Sequence, residues 1–294
     1  MSILRALAIG IAIFAIGIAY NTRKKLPPPP PDVQETECGN TGNACIVGAR
    51  SYNLLLPRGD GPFPAVIFFH GSGSSGAAVI SNSIITTPLL NRGYALIAPT
   101  GLGVGYSDGT TSSGWIWEGR RKDRDDYRYL RKVISDATGR FQIDPNKIIV
   151  AGHSNGATMV WYLACSGFDR RLKFFAPISG TPVRGWRLPC SRSQPEFSLM
   201  HMHGASDTVV PTKGTQPNNG FTGWLGAQEA VEDIAKRARC KTSKQYEAPK
   251  VTTTNWNDCI GQSQFKVAIV PGGHSVPRVW ADTMLDWYEA LNPN

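Results

Sequence analysis

Five consecutive residues, Gly152-His153-Ser154-Asn155-Gly156, set a serine between two glycines. A serine hydroxyl is a weak nucleophile unless a base takes its proton, and it reacts best from a sharp turn with small neighbours. The glycines provide those neighbours. The chain has five histidines, His70, His153, His201, His203 and His274. His274 stands in the glycine-rich stretch Pro271-Gly272-Gly273-His274-Ser275 and is the candidate base. Such a base works when a carboxylate orients its ring and stabilises the imidazolium that forms. Asp207, in His203-Gly204-Ala205-Ser206-Asp207-Thr208-Val209-Val210-Pro211, is the candidate carboxylate. Together the three would carry out acyl transfer. Each also has a plainer reading: a glycine-rich turn, a packing histidine and a capping aspartate.

Acyl transfer needs donors for the oxyanion that develops on the carbonyl. The stretch Phe69-His70-Gly71-Ser72-Gly73-Ser74-Ser75-Gly76 offers backbone N–H groups, with the Ser72 amide as first donor. The Asn155 amide, directly after the nucleophile, is the second. Each such donor contributes roughly 3 kcal/mol in the transition state. A phosphate-binding loop is the rival reading, but the stretch lacks the lysine of G-x-x-x-x-G-K-[ST]. Gly114-Trp115-Ile116-Trp117-Glu118 puts two tryptophans in an expected loop, where Trp115 and Trp117 would either line the acyl pocket or pack on the core.

These residues need a frame, and the hydrophobic pattern supplies one. Ala65-Val66-Ile67-Phe68-Phe69 is continuously apolar, as in a strand buried on both faces. Ser51–Leu56, Tyr94–Ala98, Ile148–Ala151, Phe174–Ile178, Phe197–Met202 and Phe265–Val270 read as further strands. Helical spacing marks Asp126–Ile134, Ala157–Cys165, Ala227–Ala238 and Val279–Leu291. Alternation of buried strands with helices implies an α/β fold, a mostly parallel central sheet with helices on both faces. Ser154 then falls between a strand and a helix, Asp207 follows Phe197–Met202, and His274 follows Phe265–Val270. The order serine, aspartate, histidine is that of the α/β-hydrolase arrangement.

The chain resembles the polyhydroxybutyrate depolymerase and feruloyl esterase family of secreted α/β-hydrolases. The residues that carry the resemblance are His70-Gly71, Ala151 to Gly156, Tyr162-Leu163-Ala164-Cys165, His203 to Asp207 with Val210-Pro211, and Gly272 to Ser275. It covers about Cys38 to Leu291 and implies the α/β-hydrolase fold with a serine esterase triad. The substrate it implies is a carboxylic ester: a short hydroxyalkanoate oligomer, or a small feruloyl or acetyl ester. Polymer degradation, peptidase or thioesterase activity, and a non-catalytic binding protein on the same fold are the alternatives. The stretch after His70-Gly71 is Ser72-Gly73, without the cysteine of some polymer degraders, and no separate substrate-binding module is visible.

Composition narrows the setting. Of 294 residues, 41% are hydrophobic and 18% charged, ordinary for a globular chain. The net charge is +9, but the basic residues are scattered apart from short runs such as Arg23-Lys24-Lys25, which argues against a nucleic-acid partner. Arg5 precedes an apolar run of 15 residues, Ala6 to Tyr20, suited to the core of a signal peptide. Residues 1–19 are therefore expected to be a signal, with an uncleaved membrane anchor as the alternative because of the basic run that follows. Pro27 to Pro31 mark residues 20–37 as a stiff linker, and 38–294 as the catalytic domain. Export places that domain outside the cytoplasm, secreted or periplasmic. The six cysteines form sequential couples, Cys38/Cys45, Cys165/Cys190 and Cys240/Cys259, and disulfides suit an exported chain. No CxxC pair exists, so no metal is expected, and the chemistry calls for no cofactor. The oligomeric state is left open by the sequence.

Overall fold

The computed structural model describes residues 38–292 apart from 106–108, 122–123, 187, 189, 191–195 and 219–220. The expected signal and proline linker lie outside the described residues. The first elements are β1 (Cys45–Val47), β2 (Arg50–Leu55), β3 (Phe63–Phe69), α1 (Gly76–Ile80), α2 (Ser83–Asn91) and β4 (Ala95–Pro99). Four short strands follow, β5 (Leu102–Gly105), β6 (Thr111–Gly114), β7 (Arg120–Arg121) and β8 (Arg124–Asp125). Next come α3 (Asp126–Arg140), β9 (Ile143–His153), α4 (Asn155–Ser166), β10 (Phe174–Ile178) and β11 (Ser198–Gly204). The remainder is α5 (Ala227–Arg237), β12 (Thr242–Ala248), β13 (Val251–Asn257), β14 (Phe265–Val270) and α6 (Trp280–Leu291).

Ten strands make one sheet in the order β1-β2-β4-β3-β9-β10-β11-β14-β13-β12. From β4 to β14 the strands run parallel. Both flanks are antiparallel: β1 and β2 on one side, the β12–β13 hairpin on the other. The parallel centre has a mixed apolar run in every strand because both of its faces are covered. In β3, Ala65, Ile67 and Phe69 pack with α3, α4 and α5, whereas Val66 and Phe68 pack with α1, α2 and α6. β4 and β9 alternate in the same way, with Ile97 and Val150 on the first face and Leu96 and Ile149 on the second. β9 begins earlier than the expected strand Ile148–Ala151 and includes Asp144-Pro145. Its register with β3 shifts between Phe63 and Ala65, the irregularity that a proline without an N–H permits.

α4 has no polar face. Every residue from Asn155 to Cys165 is buried, because the helix lies against the sheet with further structure outside it. Its amphipathic neighbours differ. α5 buries Ala227, Ala230, Val231, Ile234 and Ala235 along one stripe and gives its other side to water.

The cysteines pair as the three sequential couples, Cys38–Cys45, Cys165–Cys190 and Cys240–Cys259. Cys165–Cys190 ties the end of α4 to the stretch that carries Trp186, and Cys240–Cys259 ties the chain after α5 to the end of β13. Each bridge is expected to contribute about 2–5 kcal/mol. Denaturant unfolding with and without reductant should show a loss of that order, and peptide mapping of the unreduced protein should return these couples. Crossed pairs or free thiols would contradict the scheme.

Candidate active site

The site begins with a backbone the sequence must force. β9 ends at His153, α4 starts at Asn155, and Ser154 alone makes the turn, at φ 56° and ψ −122°. A non-glycine residue there is strained by about 1–3 kcal/mol and persists only when its surroundings dictate it. Two backbone bonds do so: the Ser154 N–H donates to the Ile178 carbonyl at 3.0 Å, and the Ser154 carbonyl accepts from the Thr158 N–H at 3.1 Å. The flanking glycines are a matter of space. A Cβ on Gly156 would lie 2.2 Å from the Phe69 carbonyl oxygen, and one on Gly152 would lie 2.7 Å from the Gly156 backbone. The turn can therefore close against β3 only with glycine at both positions.

The three candidate residues meet at this turn. His274 Nε2 lies 2.8 Å from Ser154 Oγ, and His274 Nδ1 lies 2.8 Å from Asp207 Oδ2. β11 and β14 are parallel neighbours, so the loops after them bring Asp207 and His274 together at one end of the sheet. The other oxygen, Asp207 Oδ1, accepts the Val209 and Val210 N–H groups, both at 2.9 Å. Burial pushes the Asp207 carboxyl up, but the bond from His274 and the two amides outweigh it and hold its pKa below the usual carboxylate value. Asp207 is thus an ionised acceptor, which leaves His274 Nδ1 as donor and Nε2 as acceptor for the serine hydroxyl. His153, ring to ring at 4.9 Å from His274, is pulled down to about 4 by burial and by that neighbour, so it stays neutral.

The two expected oxyanion donors line the same cleft as Ser154 and His274. Asn155 is the first residue of α4, where helix N–H groups have no partner within the helix and the helix dipole favours negative charge. The stretch holding Ser72 is fixed from below by His70. The His70 Nδ1–H donates to the Gly71 carbonyl at 2.7 Å, and Nε2 accepts the Gly101 N–H at 2.9 Å. Burial lowers its basicity, so it is a neutral peg. The Gly73 and Ser74 amides are committed to Ser113 and Gly71, with Ser72 between Gly71 and Gly73 facing the cleft.

The two tryptophans part company. Trp115 is 1% exposed: it packs edge-on against Phe69, and its Nε1–H donates to the His70 carbonyl at 2.9 Å, so it props the stretch that leads to Ser72. Trp117 is half-buried and faces the cleft, with Trp186 and Trp224 at 5.7 and 5.9 Å. These two partners and Phe221 were missed by sequence reasoning, since they come from distant loops with no local pattern. Both Trp115 and Trp117 also grip Asn155: Trp115 N–H donates to Oδ1 at 2.8 Å and Trp117 Nε1–H to the carbonyl at 3.2 Å.

A buried ion cluster carries this tryptophan stretch, and it too went unread. Asp126, 0% exposed at the start of α3, accepts from Arg50 at 2.5 Å, from Arg124 and from the Ile116 N–H at 2.8 Å. Arg124 reaches on to the carbonyls of Leu102, Gly103 and Gly114. Arg50 lies over the Tyr129 ring at 3.5 Å, a desolvated cation–π contact. The opposite wall of the cleft is aliphatic, with Val79, Ile85 and Val276. The cleft is open to solvent and its volume is about 890 Å³, within the range of small-molecule sites. Among the described residues no cluster of side chains suited to hold a metal ion occurs.

Comparison with known proteins agrees with this architecture. A family model described as alpha/beta hydrolase fold matches residues 64–187, from β3 through the serine turn. The chain is similar to feruloyl esterase B of Piromyces equi, 25% identical over 222 residues covering 73% of the chain and 40% of that protein. It is also similar to NocK of Nocardia uniformis subsp. tsuyamanensis, described as an esterase, 24% identical over 242 residues covering 76% of the chain and 67% of the relative. The chain therefore spans less than half the length of the first of these relatives. Among solved structures, an acetyl xylan esterase from Aspergillus awamori superposes with a TM-score of 0.56 at 17% identity, covering 82% of the chain and 94% of its own. The Bacillus cereus carboxylesterase gives 0.52 at 14%, covering 83% and 95%. The serine turn, the strand order and the matched segment agree, and the chain has the α/β-hydrolase fold.

Proposed function

We propose that the protein hydrolyses small carboxylic esters through an acyl-enzyme on Ser154. The observation that carries the reading is the unbroken line Ser154 Oγ, His274 and Asp207, with 2.8 Å at each step, on the floor of a small-molecule cleft. Ser154 Oγ attacks the ester carbonyl carbon as His274 Nε2 takes its proton. The resulting oxyanion accepts the Ser72 and Asn155 N–H groups. His274 returns the proton to the departing alkoxide, the C–O bond breaks, and the acyl group stays on the serine. Water, deprotonated by His274, then releases the acid and restores the hydroxyl. Asp207 keeps the imidazole in the required tautomer and stabilises its cation.

The names of the relatives, feruloyl and acetyl xylan esterases among them, support the ester reading. The aromatic wall of Trp117, Trp186, Trp224 and Phe221 suits a ring or sugar face, and the aliphatic wall suits a short chain. The three disulfides favour an oxidising, extracytoplasmic compartment, as the N-terminal signal pattern does, and no described helix is long and apolar enough to cross a membrane.

A fluorophosphonate probe should label Ser154 in the folded protein. A panel of matched ester, thioester and amide substrates, extended to hydroxybutyrate oligomers, acetylated and feruloylated sugars and polymer granules, then fixes the class. Soluble short esters are expected to turn over well ahead of granules, because the volume of the cleft suits a small ligand. Granule clearing with negligible activity on the soluble esters would reverse that order, and no labelling at all would leave a binding protein on a hydrolase fold.

A further inference from the structure

β11 carries two histidines that the proposed reaction leaves unused. His201 and His203 stand two residues apart on one strand, so they share a face. Both are fully buried. His203 Nε2 lies 2.7 Å from the Val210 carbonyl oxygen and 3.2 Å from Asp207 Oδ2. Both partners are acceptors, so this nitrogen must carry a hydrogen. On the other side of the ring, His203 Nδ1 lies 2.9 Å from His201 Nε2. Burial lowers the basicity of both rings, and each is further repelled by an imidazole neighbour. One hydrogen per ring leaves a single consistent arrangement. His203 donates from Nε2 and accepts at Nδ1, and His201 donates from Nε2. His201 is held in turn by Trp161, whose ring lies 5.7 Å away and whose Nε1–H is fixed on the Gly180 carbonyl.

We propose that His203 is a positioning residue for Asp207, locked by His201 as the Nε2–H tautomer, and that it keeps Oδ2 aimed at His274. The inference rests on the triad reading above. Asp207 Oδ1 is pinned by two amides, but Oδ2 has to face His274 and would otherwise have one partner. The His203 Nε2–H, hydrogen-bonded to the Val210 carbonyl, lies 3.2 Å from that oxygen, and its positive edge there restrains the carboxylate and favours its ionised form. The titratable groups facing His203 are His201 on its own strand, Asp207 on the next loop, His274 after β14 and His153 at the end of β9.

The test compares His203→Leu, His203→Gln and His203→Asn in the full chain, reading kcat and KM against pH with a soluble aryl ester. Glutamine can place an N–H near the Nε2 position; asparagine places it near Nδ1 instead. Loss of this N–H beside the carboxylate should lower kcat about tenfold in the leucine variant, with KM nearly unchanged. Asp207, less favoured as an anion, should protonate at higher pH, so the acidic limb of the kcat profile should move up by about one unit. Asparagine should behave like leucine, and glutamine should recover most of the rate and the wild-type limb. Should leucine prevent folding, the glutamine–asparagine pair carries the comparison. A folded leucine or asparagine variant with the wild-type kcat and limb would overturn the proposal. So would equal losses in all three variants with an unmoved limb, the mark of packing alone. Ser154→Ala is assayed in parallel. Undiminished turnover there would sink the triad reading itself, whatever the histidine variants do, and would take this proposal with it.

Discussion

Ser154→Ala will abolish turnover, by roughly a millionfold, while the protein stays folded. Among the described residues the hydroxyl makes no contact that the fold depends on: its hydrogen bond is to His274 Nε2 at 2.8 Å. Alanine meets the same backbone strain at φ 56° as serine does, and the same two backbone bonds hold it. His274→Ala should be nearly as damaging. The two changes together should cost little more than either alone, because proton transfer and attack are one event and either loss removes both. The measurement is kcat/KM for both single variants and the double variant on one soluble ester, with circular dichroism to verify folding. Losses that multiply in the double variant would mean that the two residues act independently, which their hydrogen bond contradicts.

Asp126→Ala should be among the most destabilising single changes outside the apolar core. It removes the shared anion of Arg50 and Arg124, whose side chains are only 10% and 7% exposed. Two guanidinium groups would be left without their counter-charge in a place water reaches poorly. Breaking such a buried cluster costs about 3–5 kcal/mol. Burial already lowers the Arg50 pKa against the pull of Asp126, so the arginine depends on its partner. Asp126→Asn keeps the volume and an acceptor for the Ile116 N–H and should lose less. Activity should fall with stability, since Arg124 and Asp126 hold the stretch that presents Trp115 and Trp117 to Asn155. Urea unfolding of the two variants reads the first effect. A leucine-like tolerance at position 126, with unchanged unfolding, would show that the cluster is ornamental.

The meeting of Ser154, Asp207 and His274 was legible in the sequence because each follows a strong strand signal. β10 and β14 have the bounds their apolar runs imply, and β11, shifted by a residue or two, still delivers Asp207 to the same end as His274. The antiparallel hairpin was illegible for a definite reason. β12 is exposed along its whole length, and a strand without a buried face carries no period-two pattern. α1 and α2 were hidden by shortness and by Pro88 within α2, although Ser75 and Asn82 cap them with side-chain bonds to Ala78 and Ile84. The tryptophan pair shows a different limit. Composition placed Trp115 and Trp117 near the site, but only the fold separates the buried prop from the wall. The ion cluster joins residues 50, 124 and 126 from separate elements, and no local spacing announces such a set.

α4 has a consequence for how this site ages under stress. A helix buried from Asn155 to Cys165 can expose its amides to solvent only when the domain opens as a whole. The serine is therefore mounted on a part of the protein with no cheap local fraying. The tryptophan wall is mixed in this respect: Trp117 is bonded to Asn155 and Trp186 sits on the stretch bridged to α4, whereas Phe221 and Trp224 stand on the loop before α5. Gentle heating or mild denaturant would reach the loop of Phe221 and Trp224 before it reached α4, so that part of the wall is the first to loosen and the turn at Ser154 the last.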